Sequence, residues 1–173
     1  EMCIRDSINN INNNTTNNNT VNVAGNMIQN NININSFGNE NKDYIAIEFI
    51  RHCLTQGSYG ISPMIDKIYF DPEHPENHNV SLESFKNRLV KVVQDNKWQF
   101  ASLLNTIDQM ITKASTFIVA TLAQEIMDAI PTNDGQQILV NVQSIQNIEP
   151  QMKKRIREHT KGRLAHRRDS TPT

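Results

Sequence analysis

Five side chains able to hold a metal ion or move a proton crowd one short stretch, DPEHPENHN at residues 71–79: Asp71, Glu73, His74, Glu76 and His78. Carboxylates and imidazoles at this density can coordinate a divalent cation, and a histidine beside such an ion can act as general base. That chemistry needs a hairpin to present the base and a following element to complete the ligand set. A hairpin pattern does follow, but no second ligand cluster does, and closely spaced cysteines of the zinc type are missing. A local reading competes. Pro72 and Pro75 fix φ, and Asn77 and Asn79 can bond nearby backbone, which makes a rigid loop. A third reading makes His74, Glu76, Asn77 and His78 a partner-binding surface. The loop is expected to be structural or partner-binding, with no catalytic residue, metal or cofactor.

The string HPENHN resembles, in outline only, the His-Asn-His metal nucleases, and such a nuclease is kept as an alternative. Other nucleophiles are poorly placed. Cys53 has only His52 nearby, on another face of the same predicted helix, so it reads as a small core residue. Trp98, in a strand after a turn, also reads as core. There is no Gly-rich phosphate loop and no G-x-S-x-G.

Charge offers a different chemistry. Residues 153–173 carry eight basic side chains against two acidic ones, a local +6, while the rest of the chain stands at −7 behind an overall −1. Six of the cations, Lys153, Lys154, Arg155, Arg157, Lys161 and Arg163, lie within 11 residues. On a helix Lys154, Arg157 and Lys161 share one face, opposite Met152 and Ile156. Such a helix can dock by a narrow apolar edge and offer cations to DNA or RNA, with weak, sequence-independent, salt-sensitive binding.

The elements that must carry these groups are read from periodicity. Ile45, Phe49 and Cys53 form one stripe of a helix over about Lys42 to Leu54, capped by Asn39 or Asn41. QGSYG breaks it. Ser62 as cap and Pro63 at the first helical position start a short second helix. HNVSLES and NRLVKVVQ read as strands, and Asp95–Lys97 as a turn into the strand WQFAS, giving a small antiparallel sheet. Ser102 to Ile130 is the longest periodic segment, with Leu104, Ile107, Ile111, Ala114, Ile118, Thr121 and Glu125 on one stripe, widened by Leu103, Met110, Phe117 and Leu122. It predicts one long helix ended by Pro131, long enough to suggest self-association. QILVNV reads as a strand or short helix. A last helix over about Gln151 to Leu164 carries the basic cluster. The fold class is therefore α+β, with a disordered Asn-rich tether in front.

Four stretches result. Residues 1–7, EMCIRDS, look like a translated sequencing adapter, so the natural reading frame is expected to extend further upstream. Residues 8–36 are an Asn-rich linker: from Ile8 to Asn41 nearly half the residues are asparagine. Too few apolar groups are present there to offset the entropy of ordering. Ile32–Phe37 is its best candidate for a strand docked on the module. Residues 37–166 form the folded module, and 167–173 a disordered tail. Without the adapter only Cys53 remains, which points to a reducing compartment. No apolar run approaches the roughly 20 residues needed to cross a bilayer.

The segments INSFGNENKDYI and MIDKIYFDPEHPENHNV, the single tryptophan in DNKWQF, the long helix after it and the Lys/Arg-rich last helix resemble one family in order and spacing. It is an uncharacterised module of large nucleocytoplasmic DNA viruses and related metagenomic sequences. There it follows an Asn-rich linker, often with a Cys2His2 zinc finger near the protein's N-terminus. The resemblance spans about Asn30 to Leu164 and transfers no catalytic residue. It implies a viral protein of the host cytoplasm, nucleus or virion. The first expectation is thus a non-enzymatic module that associates with nucleic acid, and that oligomerises or docks. The alternatives are a protein-interaction module without a nucleic-acid role, and the metal nuclease.

Overall fold

The computed structural model describes residues 32–129 and 135–170. These build an α+β fold in which six helices pack with a three-stranded antiparallel sheet. In chain order they are α1 (Ile47–Thr55), α2 (Ile61–Tyr69), β1 (Val80–Ser84), β2 (Leu89–Gln94), β3 (Lys97–Ser102), α3 (Leu103–Thr121), α4 (Ala123–Ala129), α5 (Gly135–Gln146) and α6 (Pro150–Ser170). Residues 1–31, including the adapter-like and most of the Asn-rich stretches, lie outside the described residues, as does Pro131.

The first helix starts later than its stripe predicts. Asn41 does cap backbone, but its Oδ1 accepts from Asp43 N at 3.0 Å and closes a turn. The helix begins after Ala46. Cys53 and Leu54 bury against the core with Ile50. Gly57, at φ +57°, and Gly60 turn the chain sharply. A Cβ at Gly60 would collide with the Cys53 carbonyl, so the two helices approach there as only glycine permits. Gly60, not Ser62, stands at the cap of α2, and Pro63 falls inside its first turn. Nearly all of α2 is interior: Ile61, Met64, Ile65, Ile68 and Tyr69 are buried.

Strand order is β1-β2-β3. Asp95 and Asn96 have φ of +50° and +59°, the pair of left-handed residues a two-residue type I′ hairpin requires. That turn sets the register Gln94↔Lys97, Val93↔Trp98, Val92↔Gln99, Lys91↔Phe100 and Val90↔Ala101. Period-two alternation then divides the faces. Val80, Leu82, Val90 and Val92 join the main core, while Lys91, Val93, Trp98 and Phe100 share the opposite face, on which Val93 is nonetheless buried.

Two helical expectations need correction, and one that was open between strand and helix is decided. The predicted single helix over 102–130 is two, α3 and α4, with a break at Leu122. Beyond Ile118 the buried positions are Leu122 and Ile126, while Thr121 and Glu125 are exposed. The break keeps Leu122 and Ile126 inward and leaves Glu125 to pair with Arg51 at 2.8 Å. QILVNV lies in a helix, α5, because Val142 and Ile145, with Ile138 packed beside them, share one side. Finally, α6 runs past Leu164 to Ser170, so the tail expected at 167–173 is helical over much of its length. Ile156, Thr160 and Leu164, four residues apart, form its buried seam.

Candidate interaction surfaces

The acidic-histidine loop is built around asparagine rather than histidine. Asn77 is 0% exposed. Its Oδ1 accepts from Asn35 Nδ2 at 3.0 Å and from Asn41 N at 2.9 Å, and its Nδ2 donates to Asn41 O at 2.6 Å. Asn79, also fully buried, donates from Nδ2 to Glu40 Oε1 at 3.0 Å. Glu40 accepts from Gly38 N as well. The loop thus clasps the chain that precedes α1. Residues 32–37 form no strand, yet they dock: Asn35 N bonds Glu76 O and Phe37 N bonds Val93 O, both at 2.7 Å. The compact unit accordingly begins at Ile32 rather than Phe37.

The two histidines are separately employed. His74 stacks on Tyr44, ring centroids 3.3 Å apart, and its Nδ1 lies 3.0 Å from Glu76 Oε1. That contact holds the Glu76 carboxyl below its usual range. His78 Nε2 lies 2.9 Å from the Asp71 carbonyl and acts as its donor. Burial, and then the nearby Arg167 charge, push the His78 imidazole pKa down. Asp71 feels burial, which acts to raise its pKa, but Lys67 and the Glu73 amide outweigh it and lower it. Of the four residues assigned to partner binding, Asn77 offers no surface at all, and His74, Glu76 and His78 are half-buried in internal contacts.

The basic helix turns much of its charge onto its own protein. Arg157 makes a two-pronged pair with Asp108 of α3, at 2.7 and 2.5 Å, and Lys153 stands 3.4 Å from the same carboxylate. The Arg157 bonds hold Asp108 below the usual carboxylate range. Arg163 sits 3.2 Å from Asp66 and over the Phe70 ring, and His159 also reaches Asp66. Lys161 pairs along the helix with Glu158. Arg167, placed by the sequence in a frayed tail, donates to the backbone carbonyls of Tyr69, His78 and Val80. Burial lowers its pKa to about 10. The predicted cationic face Lys154, Arg157, Lys161 therefore does not exist as a unit. Lys154 and Arg155 are exposed, but Arg157 is half-buried and engaged. One aspartate on each of two helices, Asp66 of α2 and Asp108 of α3, holds Arg163 and Arg157 inward, a contact no count of charge along the chain reveals.

The sequence missed an open aromatic surface. Trp98, expected in the core, is 46% exposed, and Phe100 is 65% exposed. Both stand on the outer face of β3, two residues apart and so about 7 Å from each other. Lys91 of β2 lies over the Phe100 ring, 5.4 Å from its centroid, and pairs with Glu83 at 2.8 Å. Phe85, Lys86 and Arg88 are exposed at one end of the sheet and Lys97 at the other. Beside Trp98 opens a cleft of about 340 Å³ lined also by Ile34, His78, Leu164, Arg167 and Arg168. The signal available in sequence was the alternation in KWQF: two aromatics on the face opposite Ala101, which points to the core.

A larger groove of about 600 Å³ runs between α3 and α5 and is lined by Ile111, Val119, Ile145 and Ile148 among others. Among the described residues Lys153 is the one titratable group on its wall. Among the described residues no three His, Cys, Asp or Glu side chains gather as a metal site would need, and no helix is long and apolar enough to cross a membrane. Cys53, its thiol pushed up to about 11 by burial, lies in the core. Comparison with protein-family models, curated proteins and solved structures finds no match to this chain.

Proposed function

We propose that the chain is a non-enzymatic module that associates with single-stranded nucleic acid through the outer face of its sheet. One observation carries the reading: Trp98 and Phe100 stand exposed side by side on one face of β3, with the Lys91 ammonium over the Phe100 ring. Every nucleobase has a π-face, so neighbouring bases can stack on such a pair with little sequence preference, at about 1–3 kcal/mol per base. Lys86 and Arg88 are exposed in the turn between β1 and β2, Lys91 lies over the Phe100 ring, and Arg168 lines the cleft beside Trp98. Between Ser81 and Ser102 the four Lys and Arg face two acids, Glu83 and Asp95, on a body that is otherwise acidic. That contrast draws a phosphate backbone to this face.

The test is the affinity of the full chain for a labelled single-stranded oligonucleotide, measured by anisotropy at about 50 mM salt and again at about 200 mM. Binding should be measurable at low salt and fall steeply at high salt. Trp98→Ala with Phe100→Ala should weaken it at least tenfold while the variant still unfolds in one cooperative thermal transition, since the rings are 46% and 65% exposed. Absence of binding, or an unchanged double variant, would leave the interaction module without a nucleic-acid role as the better reading.

A further inference from the structure

The open edge of the sheet suggests a second property. Among the described residues β3 pairs with β2 alone, and five of its six residues are exposed. The type I′ turn makes Gln94 and Lys97 the first hydrogen-bonded pair of the hairpin. Gln99 and Ala101 then also turn their peptide groups toward β2, by the alternation of an antiparallel ladder. The peptide groups of Trp98 and Phe100 point the other way, out of the sheet. Natural proteins blunt such edges with proline, bulges, inward charges or lysines. This strand has no proline and no bulge against β2, and its single charge is Lys97 at the first position.

We infer that β3 pairs with β3 of a second copy of this chain, antiparallel about a two-fold axis at Gln99, to give a continuous six-stranded sheet. The edge is self-complementary in this register. Its two outward peptide groups, on Trp98 and Phe100, are symmetric about Gln99, so each meets the other kind across the axis. Trp98 then lies opposite the partner's Phe100 on the outer face, an aromatic cross-strand pair made twice. Lys97 falls opposite the partner's Ala101, so no like charges meet. Gln99 faces the partner's Gln99 on the other face of the sheet. A single edge strand with two rings covers less than the roughly 800 Å² per partner of a standard interface, so the dimer is weak and concentration-dependent. The inference does not rest on nucleic-acid binding, because pairing uses the edge and stacking uses the face.

Sedimentation velocity on the full chain at about 0.3 mM, a concentration suited to a weak interface, tests it with variants that leave both aromatics in place. Wild type should sediment as a species of twice the monomer mass. Gln99→Lys and Gln99→Glu, each at an exposed site, should both be monomers with unchanged melting temperatures, because each puts like charges directly across the axis. An equimolar mixture of the two should recover the dimer. A wild-type monomer at this concentration would overturn the proposal and leave the edge to an extended segment of some other chain. A Gln99→Lys dimer, or a mixture that stays monomeric, would overturn it as well.

Discussion

Replacing Asn77 with alanine removes the centre of the clasp between the 71–79 loop and the chain before α1. The buried amide serves three hydrogen bonds, two accepted from Asn35 and Asn41 and one donated to the Asn41 carbonyl. Asn35 Nδ2 sits at the margin and can turn to water. The Asn41 amide and carbonyl are backbone groups in a part-buried site, and each loses the only side-chain partner it has in Asn77→Ala. A buried polar group left unmade costs about 1–3 kcal/mol. Two such groups, with some relief from water entering the gap, give about 2–4 kcal/mol, a large share of the roughly 5–15 kcal/mol that holds a typical domain. Asn77→Asp separates the two halves of the clasp. It keeps the acceptors for Asn35 and Asn41 N but sets a carboxylate against the Asn41 carbonyl, so it should also cost at least about 1 kcal/mol as an unmet acceptor pair. Urea unfolding gives the loss of stability, and hydrogen exchange at Asn41 and Phe37 locates it. If Asn77→Ala loses less than about 1 kcal/mol and the Asn41 amide stays protected, the clasp is not held by Asn77.

Arg157→Gln should lower stability by about 1 kcal/mol, since it leaves the half-buried Asp108 carboxylate with Lys153 alone, 3.4 Å away, whereas Lys154→Gln, in water, should change the urea midpoint negligibly. His78 makes stability fall in mild acid. Its folded pKa is depressed, so below about 6.5, where the unfolded chain takes up a proton, the fold resists charging and is weakened relative to the unfolded state. His78→Gln should flatten the change in unfolding midpoint between pH 7.5 and pH 5.5, and a variant with the wild-type slope would remove His78 as its cause. Gly60→Ala drives a Cβ into the Cys53 carbonyl and should cost more than about 2 kcal/mol in thermal or urea unfolding, without changing the outer face of the sheet.

Much of the architecture was legible because it follows from short-range rules. The turn at Asp95 and Asn96, the strands on either side, Cys53 as core, and Ile111 and Ile118 on the buried side of α3 all follow from spacing and turn chemistry. What failed depended on contacts distant in sequence. Arg157 looked like an outward cation because Asp108, which holds it, is 49 residues away. Arg167 looked like tail because the carbonyls it binds belong to α2, the 71–79 loop and β1. Trp98 looked like core because a lone tryptophan in a strand usually is, and the strand's place at the sheet edge is decided by topology. The break at Leu122 took Thr121 and Glu125 off the buried stripe and kept Leu122, expected at its margin, inward with Ile126, a one-residue drift that periodicity over a long segment does not resolve. Asn77 was recognised as a local backbone binder, but its partners lie 36 and 42 residues upstream.

The chain holds a single tryptophan, so at concentrations well below those that favour self-association its fluorescence reports on the proposed platform. Titrating the full chain at low salt with a short single-stranded oligonucleotide should quench Trp98 emission as a base stacks on the indole. Salt near 200 mM should reverse the quench, and Phe100→Ala should weaken it while the lifetime of the free protein stays the same. Binding seen by another probe with Trp98 emission unchanged would place the nucleic acid elsewhere, and no binding by either probe would contradict the account.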